Sequence, residues 1–160
     1  MTRWSGPQLL CGALLAVAVA ALVVMTAGTV LDVFTRYAVK SPLRGMIDLV
    51  ESTLVLVVFL ALPECFRRHE QVTVDVVDHL WGARTVAVLK LVGALASLAF
   101  LALLAYTGVQ PFLDALKFGD RKPDLPVPIF MLLGAIELAL VASMVVVLTQ
   151  LRGLMRRIAA

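Results

Sequence analysis

The sequence predicts an all-α integral membrane protein with four transmembrane helices and an amphipathic interfacial helix between spans two and three. Hydrophobic residues make up 61% of the 160 residues and charged residues 16%, whereas an ordinary globular domain is about 45–50% apolar and about 25% charged. The apolar residues fall in four long stretches joined by short polar segments. Because each helical span uses about 20 residues, there is no room for a separate soluble domain, and residues 1–160 are predicted to form a single membrane domain.

The first span is predicted at residues 9–31, a stretch without a charged residue. At about 1.5 Å per residue it reaches roughly 34 Å, enough to cross a hydrocarbon core of about 30 Å. A signal peptide would have a shorter apolar core of about 7–15 residues, then a cleavage site and a polar chain. The length of the stretch and the spans that follow it favour an uncleaved anchor.

The second span is predicted at residues 47–66, with acidic side chains in its first turns and Glu64 near its exit. Its uncharged centre, residues 52–63, is no longer than an interfacial or re-entrant segment of about 10–14 residues. Hydropathy alone therefore leaves both interpretations open. Pro63 is expected to kink or end the helix.

The third and fourth spans are predicted at residues 88–113 and 127–151. Gln110 and Pro111 mark the exit of the third span, and three arginines close the fourth. Four spans place both termini on one side of the membrane. With the termini in the cytoplasm, eight of the 14 Lys and Arg residues lie on the cytoplasmic side and six on the other, so the positive-inside rule favours that orientation.

The joint between spans two and three carries an amphipathic pattern over residues 72–82. Its apolar residues recur at helical spacing, while Asp75 and Asp78 gather elsewhere on the helical wheel. The alternating valines at the start of this segment also fit a strand, but a lone strand beside a bilayer would leave its backbone groups unpaired. We therefore predict a helix that lies at the membrane interface.

Glu137 is the one charged residue inside the fourth span. It lies roughly 12 Å into a helix that begins near residue 129, which places it close to the bilayer midplane. A carboxyl group at that depth must be neutral, paired or beside water. It is interpreted either as a coupling or proton-relay acid of a carrier, or as a protonated or hydrogen-bonded acid that holds this helix to another subunit.

Asp48 and Glu51 lie on one face of the second span, with Arg44 one turn before Asp48. This group fits either an interfacial salt-bridge cluster at the start of the span or a contact site for a partner.

The sequence lacks the usual signals of haem binding, of common enzyme motifs and of nucleic-acid binding. His69 and His79 lie in a joint, whereas axial haem ligands usually lie on facing membrane helices. The motifs GxSxG, HExxH and GxxxxGK[ST] do not occur, and no basic stripe is interleaved with aromatic residues as on a nucleic-acid surface. We expect no enzyme, cofactor, metal site or nucleic-acid partner. Two classes remain, an accessory subunit of a larger carrier and a small autonomous exporter that acts as an oligomer through Glu137.

The joint after span two carries a family resemblance. Residues 59–62 (Phe-Leu-Ala-Leu), the Arg67-Arg68 pair and residues 72–75 (Val-Thr-Val-Asp) follow one another. This order resembles the small membrane subunit of TRAP transporters, the DctQ family. Further features fit along nearly the whole chain, namely Arg36-Tyr37, Glu51 and residues 122–128. The residues that match the family motif are Arg67, Val74, Asp75 and Pro126.

The chain departs from the family pattern at two places. Gln71 stands where a histidine is common four residues before the aspartate, with His69 nearby instead, and Ala61 stands where glycine is common. These departures bear on any role of that histidine and leave the four-helix layout unchanged.

The resemblance implies a small permease subunit in the bacterial inner membrane, with both termini cytoplasmic and without catalytic residues. Its implied partners are a large multi-span permease subunit, a periplasmic substrate-binding protein and membrane lipid. The implied process is sodium-coupled uptake of a carboxylate, in which this chain is a scaffold and helps to dock the binding protein.

Two surfaces are predicted on this basis. Helices in lipid associate through small residues and buried polar contacts, and the predicted interface with the large subunit comprises Glu51, Gly93, Ser97, Gly134, Glu137 and Ser143. The predicted periplasmic docking residues are Arg36, Lys40 and Arg44, which also fit charged ends that anchor helices at the headgroups.

Overall fold

The computed structural model describes residues 6–38, 40, 45–68, 83–119 and 128–159. These residues form four α-helices: α1 (Gly6–Ala38), α2 (Met46–Arg68), α3 (Ala83–Phe118) and α4 (Ile129–Ala159). Each helix contains a segment long and apolar enough to cross a membrane. The all-α architecture with four spans is therefore confirmed, while the predicted interfacial helix at residues 72–82 lies outside the described residues.

Neither internal proline ends its helix. Helix α2 continues through Pro63 to Arg68, and α3 continues through Pro111 to Phe118. A proline removes one backbone hydrogen bond, but a chain that left the helix within the hydrocarbon would expose several unpaired polar groups at several kcal/mol each. Continuing the helix is therefore the smaller cost, and α3 extends about two turns beyond Pro111.

The helices pack in the order α1, α2, α4, α3. Helix α2 packs along α1 and α4, and α3 packs along α4, while α1 and α4 meet over a shorter length. Within the described residues, the backbone of α3 approaches no helix other than α4. Helix α4 is therefore the centre of the fold, and α3 stands at one edge.

Two apolar clusters lie along α4. The first joins α1, α2 and α4 through Leu14, Leu60 and Ala139. The second joins α2, α3 and α4 and is centred on three buried residues, Leu101, Leu140 and Val147. Phe59 packs against both clusters, and α2 thereby links the two halves of the chain.

The helix ends fall into two groups. The Nε2 of Gln150 near the end of α4 donates a hydrogen bond to the carbonyl of Phe66 near the end of α2, whereas Gly28 in the second half of α1 faces Met46 at the start of α2. We call the end that holds Gly6, Arg68, Ala83 and Ala159 the terminal end. At the opposite end α1 connects to α2 and α3 connects to α4, and we call it the hairpin end.

Hydroxyl groups along the spans bond to the backbone of their own helix. Thr26, Thr29 and Ser143 each donate to the carbonyl four residues earlier, at 2.8 Å. These hydroxyls are satisfied without water, as the hydrocarbon region requires.

Candidate functional site

An ion cluster lies at the terminal end of α2. The Nε of Arg67 lies 2.6 Å from Glu64 Oε2, the Nη2 of Arg67 lies 2.5 Å from Glu64 Oε1, and the Nε of Arg68 lies 2.6 Å from the same Oε1. The Glu64 side chain is only 6% exposed, against 35% and 51% for Arg67 and Arg68. The carboxylate is thus enclosed between two arginines that remain in reach of the membrane surface.

This cluster is connected to α1 and α4. Gln150 Nε2 donates to the carbonyl of Phe66 at 2.6 Å, which is one of the last carbonyls of α2 and has no partner within its helix. The buried Cys11 of α1 lies within electrostatic range of Glu64 and Arg67. The hydrogen bond from Gln150 therefore joins the terminal ends of α2 and α4 next to the cluster, in which Arg67, a residue of the family motif, binds Glu64.

Glu137 lies between α3 and α4. Its side chain is half-buried, and its Oε1 rests against Gly108 of α3 so closely that a Cβ on that glycine would overlap it. In the described part of the chain no hydrogen bond or ion pair to this carboxyl group is seen. The acid thus packs against a neighbouring helix of its own chain, at a place where a glycine gives access to the backbone.

We expect substitutions at Glu137 and Gly108 to have coupled effects on the free energy of unfolding. The change Gly108→Ala should lower the free energy of unfolding by about 1–3 kcal/mol, since it either crowds the carboxyl group or drives it into lipid. In a Glu137→Ala background the same substitution should cost less than about 0.5 kcal/mol. Denaturant titration of the four proteins in detergent measures this coupling, with Gly93→Ala as a control because a Cβ there meets nothing within 4 Å. Equal costs in both backgrounds would show that the contact carries no energy.

A second ion pair lies near the hairpin end of α1. The Arg36 Nη2 and Asp32 Oδ2 atoms are 2.7 Å apart, with Asp32 buried and Arg36 exposed. Lys40 follows the helix, is exposed, and has a φ of 54°. Two of the predicted docking residues, Arg36 and Lys40, thus lie together at this end, and Arg44 lies outside the described residues.

The predicted interface residues of α2 and α3 are accessible to different degrees. Glu51 is exposed in the second turn of α2 and Gly93 is exposed on α3, while Ser97 is half-buried. The surroundings of Gly93 are open. A partner helix could approach α3 closely at that point.

The predicted interface residues of α4 make contacts within the chain. Gly134 faces the ring of Phe112 on α3, with Cε2 3.2 Å from the place of a Cβ. Ser143 has 0% exposure, and its hydroxyl donates to the carbonyl of Ala139 at 2.8 Å. Any effect of Ser143 on an interface would therefore be indirect.

Three residues of the family motif, Val74, Asp75 and Pro126, lie outside the described residues. Within the part of the chain that the structure describes, no group of three or more His, Cys, Asp and Glu side chains could hold a metal ion.

Sequence reasoning did not single out Asp32 or Gly108, and it noted Glu64 without its partners. The spacing of Asp32 to Arg36 and of Glu64 to Arg68 is i,i+4, a separation that brings side chains together on a helix, and this signal could have been used. The role of Gly108 depends on how α3 and α4 pair, which the local sequence does not encode.

A comparison with protein families identifies a match over most of the chain. The family described as "Tripartite ATP-independent periplasmic transporters, DctQ component" matches residues 25–157, a range that includes the Glu64 cluster and Glu137. No match was found among curated proteins or solved structures. The family match covers most of the chain and agrees with the four apolar helices. The chain therefore belongs to the DctQ family, a component of the tripartite ATP-independent periplasmic transporters.

Proposed function

We propose that this chain is the small permease subunit of its transporter and supports a large multi-span permease subunit from the side. On this proposal it lies in the bacterial inner membrane with both termini in the cytoplasm, which places the Arg67 and Arg68 cluster at the cytoplasmic surface. That placement agrees with the excess of basic residues on cytoplasmic loops. The family membership supports the role of a partner subunit in a tripartite system.

The exposure of α3 is the observation that carries the proposal. Among the described helices, the backbone of α3 approaches only α4, and Gly93, Ala96 and Ala99 are all exposed on it. Lipid solvates apolar side chains well, so an exposed leucine gives no reason for association, whereas small residues allow two helix backbones to approach. We therefore place the contact with the large subunit on α3, centred on Gly93 and including Ser97.

Glu137 adds a polar element to this surface. Its side chain is half-buried at the boundary between α3 and α4, and an acid near the bilayer midplane favours a hydrogen-bond donor over lipid. A donor on the large subunit would meet this need. Glu51, exposed on α2, would form a separate contact closer to the hairpin end.

Docking of the periplasmic binding protein is proposed at the hairpin end. With cytoplasmic termini this end faces the periplasm, and Arg36 and Lys40 are both exposed there. Exposed cations steer the approach of an acidic patch on a partner. From the family resemblance we propose that the substrate is a carboxylate and the coupling ion is sodium. Both would be bound by the other components of the transporter.

The scaffold role is tested with a bulky residue at an open position. A tagged chain is coexpressed with the large subunit, and the large subunit recovered with it is measured. Gly93→Leu should reduce recovery about fivefold or more, because filling a close helix contact costs about 1–3 kcal/mol. The matched control is Gly153→Leu at the terminal end of α4, where a Cβ also meets nothing within 4 Å. Both variants should unfold like the unmodified chain.

Two results would contradict the scaffold role. One is full recovery of the large subunit with Gly93→Leu. The other is ion-coupled transport by this chain reconstituted alone and lost in Glu137→Gln, which would identify an autonomous exporter. Binding-protein affinity of the reconstituted complex tests docking separately.

A further inference from the structure

A narrow apolar groove runs between α1 and α4 in the half of the bundle near the terminal end. It has a volume of about 250 Å³, and its lining is almost entirely apolar. Its rims are exposed, with Leu10 on α1 and Leu138, Val141 and Val145 on α4, and the buried Cys11 forms part of its floor. The groove therefore opens toward the surroundings of the helices and not toward the core.

Arg152 lies on the same face of α4 as the exposed residues that form the rim of the groove. Leu138, Val141, Val145, Leu148 and Arg152 are spaced by three, four, three and four residues, and each is exposed. Residues at these separations share one face of a helix. Arg152 lies about 10 Å beyond Val145 along the axis, and side chains on a helix lean toward its N-terminus, here toward the groove.

Arg152 lies at the depth of a lipid headgroup. The membrane segment of α4 is Ile129–Gly153, and Arg152 lies eleven residues, roughly 16 Å, beyond its central residue Val141. This is about half the thickness of a hydrocarbon core of about 30 Å. No ion pair with Arg152 is seen among the described residues, and the Glu64 cluster, with two arginines and one glutamate, adds a net positive charge at the same end.

We propose that the α1 and α4 groove binds one anionic phospholipid from the leaflet on the side of the termini. An acyl chain lies along the apolar groove, and Arg152 contacts the phosphate. The lipid is expected to be anionic, because a basic residue near the membrane surface attracts an anionic headgroup more strongly than a zwitterionic one. This site is separate from α3 and does not depend on the large subunit.

Native mass spectrometry of the purified full chain tests the site. The chain is titrated with phosphatidylglycerol or with phosphatidylcholine of the same acyl composition. We expect one phosphatidylglycerol to bind with preference, and Arg152→Gln to weaken it about fivefold, the factor that corresponds to about 1 kcal/mol per basic residue. Lys117→Gln, which removes an exposed charge at the hairpin end, should leave binding unchanged.

A second variant tests the groove itself. Val141→Trp fills it and should abolish the bound lipid, whereas Leu103→Trp on the exposed face of α3 should not. Equal binding of the two lipids would overturn the proposal. So would phosphatidylglycerol binding that is unchanged in both Arg152→Gln and Val141→Trp. Lipid binding unchanged in Val141→Trp, together with loss of the large subunit in copurification, would instead assign the groove to a helix of that subunit. The lipid titration uses the chain alone, so its failure is distinct from failure of the scaffold role.

Discussion

Replacing Arg67 and Arg68 together with alanine is expected to lower the free energy of unfolding by about 3–5 kcal/mol. The Glu64 side chain is 6% exposed and is bonded to both arginines, so the double variant leaves a buried carboxylate without its cations. Protonation would limit the cost, since neutralising an ordinary glutamate at pH 7 takes about 3.7 kcal/mol. Denaturant titration of the purified chain in detergent measures the loss.

The interpretation depends on a rescue variant. Adding Glu64→Leu to the double variant should recover most of the lost stability, because an apolar side chain of similar size replaces the stranded charge. Arg68→Ala alone should cost less than the double change, since Arg67 keeps two hydrogen bonds to the carboxylate. Lys117→Ala, at an exposed position, should stay within about 0.5 kcal/mol. A double variant as stable as the unmodified chain would mean that the ion pairs to Glu64 do not stabilise the fold.

Ala139→Leu is expected to destabilise the chain by about 1–3 kcal/mol. Ala139 has 0% exposure and belongs to the cluster where α1, α2 and α4 meet. Three added carbons must push these helices apart, and lipid offers no compensating gain because the larger side chain is as well solvated outside the bundle as inside.

The matched control for Ala139→Leu is Ala102→Leu. Ala102 is exposed on α3, so the same increase in size meets no neighbour in the chain and should change stability by less than about 0.5 kcal/mol. Both are measured by the same titration. Equal effects of the two substitutions would show that the packing of α4 against α1 and α2 is loose.

Hydropathy was sufficient to predict spans one, three and four, because each must satisfy its backbone within one apolar stretch. The short uncharged centre of span two left a re-entrant segment possible, and only the family resemblance favoured a full crossing there. The same pattern was less informative about where helices end. Pro111 predicts the exit of the third span but does not end the helix, since α3 reaches Phe118. The rule that proline stops a helix comes from chains in water, where water can bond to the freed backbone groups. In hydrocarbon no water is present to bond to those backbone groups.

The candidate site was predictable only in part. Glu137 stands out in any reading of the sequence because it is a lone acid in an apolar stretch. Its neighbour Gly108 is nearly thirty residues away, and only the pairing of α3 with α4 brings the two together. Ser143 looked like a small polar residue suited to a partner, but the rotation of α4 about its axis places it in the core, and composition does not fix that rotation.

The position of α3 at the edge of the fold has a mechanical consequence. A neighbour that moved while bound to α3 would transmit force to the rest of the chain mainly along the contacts of α3 with α4, which include Leu101, Gly108 and Phe112. Helix α1 would feel that force through α4 and α2, and α2 would feel it through α4 and through the apolar cluster that includes Leu101. The stiffness of one helix pair would then decide how firmly a moving partner is held in place.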